Sequence, residues 1–157
     1  VYSKTVNTCD LLPANDFQRL FGKPASALTS EFINLTESEP YTSYRECSRI
    51  EDERLKEGEI SNARIQLTES QTEKQTKQRI AAIKEDTNKL TPIKDLGDEA
   101  YTVTNTIVGT RRQMIVRVGK VLFTIKTEGE AKDASDESFT ARTVPVAKTV
   151  LANYNKR

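Results

Sequence analysis

Apolar and polar residues alternate in several segments of the chain, and this period of two predicts β-strands with one buried face. The segments are 26–35, 42–51, 60–70, 100–106, 111–118 and 121–128. The alternation is most regular in 60–70, where Ala63, Ile65 and Leu67 are separated by polar residues. Together these segments predict a sheet of five to six strands.

A hairpin is predicted where Gly119 and Lys120 join two of these strands, because two residues that include a glycine suit a tight loop. The loop places three apolar pairs opposite each other: Val118 with Val121, Val116 with Phe123, and Met114 with Ile125. All six side chains then share the buried face. Arg117 is predicted to lie on the opposite, solvated face. We therefore expect Val116→Asp to be strongly destabilising and Arg117→Asp to be mild.

Residues at helical spacing predict three helices. The helices are 13–21, 71–89 and 140–155. The central one is predicted to begin at an S-x-x-E capping box, SQTE at 70–73, and to stop before Pro92. Its inward stripe comprises Thr76, Ile80, Ile83, Thr87 and Leu90. In the last helix, Pro145 is predicted to lie in the first turn, and the inward residues are Val146 or Ala147, Val150, Leu151 and Tyr154.

Strands and helices do not alternate as they do in a parallel βαβ fold, so their order predicts an α+β protein. We expect a twisted antiparallel sheet of five to six strands, with a long central helix and N- and C-terminal helices packed on it. A chain of 157 residues is long enough to form its own core. We therefore expect a single domain over residues 1–157.

The composition excludes several kinds of function. Lysine plus arginine (24) and aspartate plus glutamate (23) nearly cancel, so no strong field attracts nucleic acid. The chain contains no histidine, which excludes serine–histidine, cysteine–histidine and zinc–histidine chemistry. No apolar run approaches the roughly 20 residues that span a bilayer. We expect no catalytic residue, no cofactor and no metal ligand.

The two cysteines, Cys9 and Cys47, are 38 positions apart and fit neither a zinc site nor a thioredoxin-type pair. Two interpretations remain. Either both thiols are reduced and buried as small apolar side chains, or a disulfide ties the N-terminal helix to a strand. Such a bond would constrain the unfolded chain by roughly 4 kcal/mol, and it would persist outside the cytosol.

Two further features are candidates for ligand binding. Gly97, in DLGDEA, either forms a backbone nest for an anion or supplies a positive-φ turn before a strand. Arg111 and Arg112 either bind a carboxylate or phosphate, or form the charged rim of a hairpin. We predict a binding surface formed by the sheet and the loops around these three residues.

Three acidic clusters raise the question of cation binding. They are Glu51-Asp52-Glu53, Asp95 with Asp98-Glu99, and Asp133 with Asp136-Glu137. None has the D-x-[DN]-x-[DN]-G spacing that surrounds a calcium ion, so we interpret them as solvated loops.

Several short motifs occur in order along the chain. They are CDLLP at 9–13, LFG at 20–22, Cys47 in a predicted strand, LGDEAY at 96–101 and IVRVGKVLFTI at 115–125. Together they resemble a family of secreted bacterial lipoproteins, largely actinobacterial, whose uncharacterised domain opens Cys-x-Leu-Leu. The resemblance implies an envelope location, a Cys9–Cys47 disulfide and an antiparallel α+β fold similar to PsbP-like domains. It supplies no catalytic residues.

We therefore expect a non-catalytic extracytoplasmic domain that binds an envelope protein, a peptide or a small ligand, and no nucleic acid. The sequence begins at Val1, so any signal peptide or lipid anchor has either been removed or lies outside this sequence, and we expect contact with a membrane only through such an anchor. The alternative is a hydrolase or transferase of the envelope that uses two carboxylates converging in a cleft.

Overall fold

The structure is a computed structural model that describes residues 8–21, 25–34, 42–51, 62–87, 89–106, 110–128 and 135–156. The helices are α1 (Ala14–Phe21), α2 (Glu73–Glu85) and α3 (Asp136–Asn155), and a 3₁₀-helix (Thr8–Leu11) precedes α1. The strands are β1 (Ala25–Asn34), β2 (Thr42–Glu51), β3 (Asn62–Glu69), β4 (Lys89–Pro92), β5 (Glu99–Asn105), β6 (Arg111–Val118) and β7 (Val121–Glu128).

All seven described strands belong to one sheet in the order β1-β2-β3-β7-β6-β5-β4, and every neighbouring pair is antiparallel. The sheet consists of two meanders, β1 to β3 and β4 to β7, which meet where β3 pairs with β7. Helix α2 follows β3 and leads along one face of the sheet to the edge strand β4. The α+β class, the antiparallel sheet and the three helices are confirmed.

The hairpin register is confirmed. In the β6–β7 ladder, Met114 is opposite Ile125, Val116 is opposite Phe123, and Val118 is opposite Val121. Gly119 has a φ of 59°, which is the left-handed conformation that a tight hairpin loop requires. The predicted strand at 60–70 is also confirmed as β3, with Ala63, Ile65 and Leu67 buried.

Apolar side chains form one cluster on each face of the sheet. On the first face, the 3₁₀-helix, α1 and α3 pack against β3, β6 and β7, and the large side chains in this cluster include Leu11, Phe17, Phe123, Phe139 and Val146. On the second face, Ile80 of α2 packs against Val103, Ile115 and Leu122. The inward residues predicted for α3 all belong to the first cluster, with Tyr154 at its edge.

The central helix is shorter than predicted, and its capping box lies two residues later. The Thr72 hydroxyl accepts a hydrogen bond from the Gln75 backbone, and the Gln75 side chain accepts one from the Thr72 backbone. Ser70 is buried, and its hydroxyl has no partner in the described part of the chain. Leu90 lies in β4 rather than in the helix, yet it packs in the same cluster as Ile80. Strand β4 raises the number of strands to seven.

The last helix begins four residues earlier than predicted. Ser135 is its N-cap, and its hydroxyl accepts a hydrogen bond from the Ser138 backbone at 3.1 Å. As a result, Pro145 lies in the middle of α3 and not in its first turn. It is on the exposed side of the helix, where water can compensate for the hydrogen bond that proline cannot donate.

Cys9 and Cys47 form a disulfide with a Cα–Cα distance of 5.1 Å, and both are buried. The bond joins the 3₁₀-helix to β2 and decides between the two interpretations that the sequence leaves open. Because disulfides persist in non-reducing compartments, it indicates an extracytoplasmic setting. Among the described helices, none has the length and apolar character needed to cross a membrane.

Candidate functional site

A cleft of about 360 Å³ lies between the C-terminal part of α2 and the sheet. The N-terminal part of α2 is held at the β6–β7 hairpin, where Thr76 Oγ1 donates a 2.6 Å hydrogen bond to the Lys120 carbonyl. The other end of the helix therefore lies above the beginning of β6 and the end of β7. The cleft opens under this end.

The cleft combines an apolar wall with a polar floor. Ala82 and Ile83 of α2 and Val103 of β5 supply the apolar surface. Asn105 of β5 and Gln113 of β6 supply side-chain amides, which both donate and accept hydrogen bonds. Such a combination can bury the body of a small molecule and orient its polar groups.

Cationic side chains border the same cleft. Arg111 is exposed and Lys126 is half-buried, and neither has a hydrogen-bond or ion-pair partner among the described residues. Arg112 also borders the cleft, but its Nε donates a 2.6 Å hydrogen bond to Asp136 of α3. Asp86 supplies a carboxylate at the opposite rim. Among the described lining residues, the cations are therefore two arginines and a lysine, and the one carboxylate is that of Asp86.

The structure separates the residues predicted to form one binding surface. Arg111 and Arg112 line the cleft at the beginning of β6. Gly97 instead lies against Val116 and Arg117, near the other end of that strand. Six residues of strand separate the two ends, which corresponds to about 20 Å. Gly97 therefore belongs to a different part of the molecule.

Gly97 supplies the positive-φ turn that was one of its two predicted roles. Its φ is 61°, and a Cβ at this position would lie 2.7 Å from both the Arg117 carbonyl and Val116 Cγ1. The next residue, Asp98, donates its backbone N–H to that carbonyl at 2.8 Å. The absence of a side chain thus lets the 94–98 loop lie against β6.

Arg117 lies beside this loop and contradicts the prediction of a solvated position. Its side chain is only 7% exposed and is surrounded by three carboxylates. Nε donates to Glu99 at 2.7 Å, and Nη1 donates to Glu73 at 2.8 Å and to Asp98 at 3.5 Å. Position 117 is therefore buried, because it lies on the sheet face that α2 covers, opposite Leu122.

The Arg117 cluster joins α2, the 94–98 loop and β5 to β6, and it favours the ionised form of Glu99. Burial acts to raise the pKa of Glu99, but the hydrogen bonds donated by Arg117 and Tyr101, together with their neighbouring charges, hold that pKa below its usual value. Lys84 in turn donates to the Tyr101 hydroxyl at 3.1 Å. A carboxyl with a lowered pKa is a poor general acid. The cluster therefore fixes α2 and the 94–98 loop to β6.

Asp136 is the centre of a second charged cluster, at the N-terminus of α3. Its carboxylate accepts hydrogen bonds from Arg112 and Thr104, and it forms an ion pair with Lys89 at 3.0 Å. The hydrogen bonds from Arg112 and Lys89 lower the pKa of Asp136 to about 2. This carboxylate therefore joins α3 to β4, β5 and β6.

Two residues of the acidic clusters depart from the predicted solvated position, because Glu99 and Asp136 are bound by arginines. Asp95, Asp98 and Glu137 of the same clusters are exposed, as predicted. Three further cluster residues, Asp52, Glu53 and Asp133, lie outside the described residues. Within the described part of the chain, no group of three acidic or cysteine side chains is arranged to hold a metal ion.

Most residues of the cleft were not predicted from the sequence. Gln113 and Lys126 carried a usable signal, because the register that pairs Met114 with Ile125 also makes them neighbours on the other face. Ile83 was predicted to face the sheet, which it does. The cleft also depends on the position of α2 above the strands, and the sequence does not predict that position.

Comparisons with family models, with curated proteins and with solved structures returned no match for this chain. The site is therefore interpreted from its own geometry and chemistry.

Proposed function

We propose that this chain is a non-catalytic domain of the bacterial cell envelope that binds a small molecule or a short peptide in the cleft between α2 and the sheet. The disulfide supports an extracytoplasmic location. Secretion or a lipid anchor is part of the same proposal, and it is supported by the lipoprotein-like motifs at 9–13 and 96–101.

The observation that carries the proposal is the cleft itself. Its volume of about 360 Å³ lies in the range of small-ligand sites, which typically combine apolar walls with a few polar groups. Ile83 and Val103 provide the apolar contact, and Asn105 and Gln113 provide amides. The described lining of the cleft comes mainly from a helix and three strands, α2, β5, β6 and β7, which are rigid elements suited to a preformed site.

The alternative, an enzyme that uses two carboxylates, has less support. Such an enzyme requires two acidic groups in one cleft with pKa values that differ in opposite directions. Glu99 and Asp136, whose pKa values are both lowered, are bound to Arg117 and Arg112. Asp86 lines the cleft without a second acidic side chain among the lining residues described.

The proposal is tested by filling the cleft from the helix. Ala82 lines the cleft and is exposed, so Ala82→Phe adds a large side chain at its mouth with little effect on the core. Ala81→Phe is the matched control, because Ala81 is exposed on the same helix but does not line the cleft. Ligand binding is followed by backbone amide shifts in ¹⁵N NMR spectra during a screen of small molecules and tripeptides.

We expect ligands that shift the amides of Ile83, Val103 and Gln113 to lose affinity in Ala82→Phe and to keep it in Ala81→Phe. The melting temperatures of both variants should stay close to that of the parent protein, since both positions are exposed. If ligands shift amides elsewhere, or if both variants bind equally well, the cleft is not the binding site. Catalytic turnover of a screened ester, glycoside or peptide would contradict the non-catalytic proposal.

A further inference from the structure

We infer that the ligand of this cleft is an organic anion, with an apolar body against α2 and a single carboxylate or phosphate group held between Arg111 and Lys126. This inference rests on the proposed function and specifies its ligand class. It follows from three observations on the sheet face beneath the C-terminal end of α2.

The first observation is that two cations line the same cleft and that neither side chain has a hydrogen-bond or ion-pair partner in the described part of the chain. Arg111, Gln113 and Lys126 all line the cleft. The β6–β7 ladder begins at Met114 and Ile125, and the alternation of side chains along each strand places these three on the same face of the sheet. An oxyanion between Arg111 and Lys126 would accept hydrogen bonds from both.

The second observation is that Lys126, unlike the cation opposite it in the sheet, has no carboxylate partner among the described residues. Arg64 is directly opposite Lys126 in the β3–β7 ladder, and like charges at directly opposite positions are unfavourable. Arg64 is neutralised by Glu46 at 2.9 Å. Lys126 has no such carboxylate in the described part of the chain. An anion bound at Lys126 would supply the missing negative charge.

The third observation concerns the side of the cleft that faces these cations. Ala82, Ile83 and Val103 form an aliphatic surface next to Arg111 and Lys126. A hydrated inorganic ion would leave that surface unused, whereas a molecule with an apolar body would cover it. The combination of an apolar surface and a cationic end therefore selects an organic anion over a simple ion.

The inference is tested with a matched pair of probes, N-acetylphenylalanine and its C-terminal amide, which share one body and differ in charge. Binding is measured from the amide shifts of Ile83 and Val103 in the full chain. We expect the carboxylate probe to bind about fivefold more tightly than the amide, as an ion pair worth up to about 1 kcal/mol implies. The difference should shrink as salt is added.

Three variants test whether Arg111 and Lys126 cause the tighter binding of the carboxylate probe. Arg111→Gln and Lys126→Gln should each remove most of the preference for the carboxylate, while Lys126→Arg should retain it. Arg64→Gln is the matched control, because Arg64 is on the same sheet face but is already paired with Glu46. Thermal unfolding of each variant verifies that the fold is intact.

Two further probes distinguish the sources of the anion. 3-Phenylpropionate represents a simple organic acid and phenyl phosphate represents a phosphate ester, whereas N-acetylphenylalanine represents the C-terminus of a peptide.

Equal binding of the charged and neutral probes would overturn the anion inference and leave the cleft as a binding site. If Arg64→Gln reduced the preference for the carboxylate probe as much as Lys126→Gln does, the assignment of this preference to Arg111 and Lys126 would be overturned. Failure of every probe to shift the cleft amides would overturn the proposed function as well.

Discussion

Arg117 and Glu99 are directly opposite each other in the β5–β6 ladder, and Nε of the arginine donates a 2.7 Å hydrogen bond to Oε2 of the glutamate. The same guanidinium binds Glu73 at the beginning of α2 and the Gly119 carbonyl in the hairpin loop. One buried side chain therefore connects the helix that covers the cleft to the strands beneath it.

Replacing Arg117 by glutamine should destabilise the protein strongly. The change removes a buried positive charge from three carboxylates, which would then repel one another. We expect a loss of about 2 to 4 kcal/mol in the free energy of unfolding. Arg64→Gln, which breaks an exposed ion pair with Glu46, should cost less than about 1 kcal/mol. Urea unfolding followed by circular dichroism measures both, and similar midpoints would contradict the role of Arg117.

A pair of glycine substitutions separates steric contact from backbone strain. Gly97 and Gly119 both have φ near 60°, so alanine is strained at either position. A Cβ at Gly97 would meet the Arg117 carbonyl at 2.7 Å, whereas the space around Gly119 is open. We expect Gly119→Ala to cost about 1 kcal/mol and Gly97→Ala about 3 kcal/mol. Equal losses in thermal unfolding would show that the loop does not lie against β6.

The β6–β7 hairpin and Arg117 illustrate how far the sequence predicts the fold. The hairpin register could be derived because the loop and the apolar alternation both select the same pairing. The burial of Arg117 could not, because an arginine on the polar side of a strand is usually solvated. The carboxylates that surround it come from α2, from the 94–98 loop and from β5, which only the tertiary structure brings together.

Stability should depend on pH through Asp136. Its pKa in the folded protein is about 2, compared with the ordinary value of 3.8, so its stabilising effect is present above about pH 4 and is lost as the pH falls towards 2. We expect the parent protein to lose about 1 to 2 kcal/mol more over this interval than Asp136→Asn. Glu137→Gln is the control, because Glu137 is exposed in the same helical turn. Parallel profiles for the parent and Asp136→Asn would contradict the prediction.

Removal of the disulfide should destabilise the N-terminal part of the chain. The bond closes a loop of 38 positions, for which the chain-entropy relation gives about 4 kcal/mol. We expect the double variant Cys9→Ala, Cys47→Ala to unfold at a lower temperature by a corresponding amount. Intact mass with and without reductant verifies the bond in the parent protein. Two free thiols in natively secreted protein, or an unchanged melting temperature, would be inconsistent with its role.

The limits of prediction at the cleft have a physical origin. Leu90 has the spacing of a helical residue, yet it lies in β4 and reaches the same apolar cluster as Ile80. An apolar residue in a sequence pattern indicates that its side chain is buried. It does not show whether a helix or a strand carries the residue. To predict the cleft, one must know where α2 begins and ends. The helix begins after the capping box at Thr72 and ends at the turn at Asp86.

Strand β4 also has a consequence for how the protein behaves at high concentration. It is one edge of the sheet, where unpaired backbone groups can recruit a strand from another molecule. The strand has four residues, begins with the exposed Lys89 and ends with Pro92, which has no N–H to donate. A short edge with a charge at one end and a proline at the other gives an incoming chain little to pair with. Strand β4 therefore disfavours aggregation by edge-to-edge strand pairing.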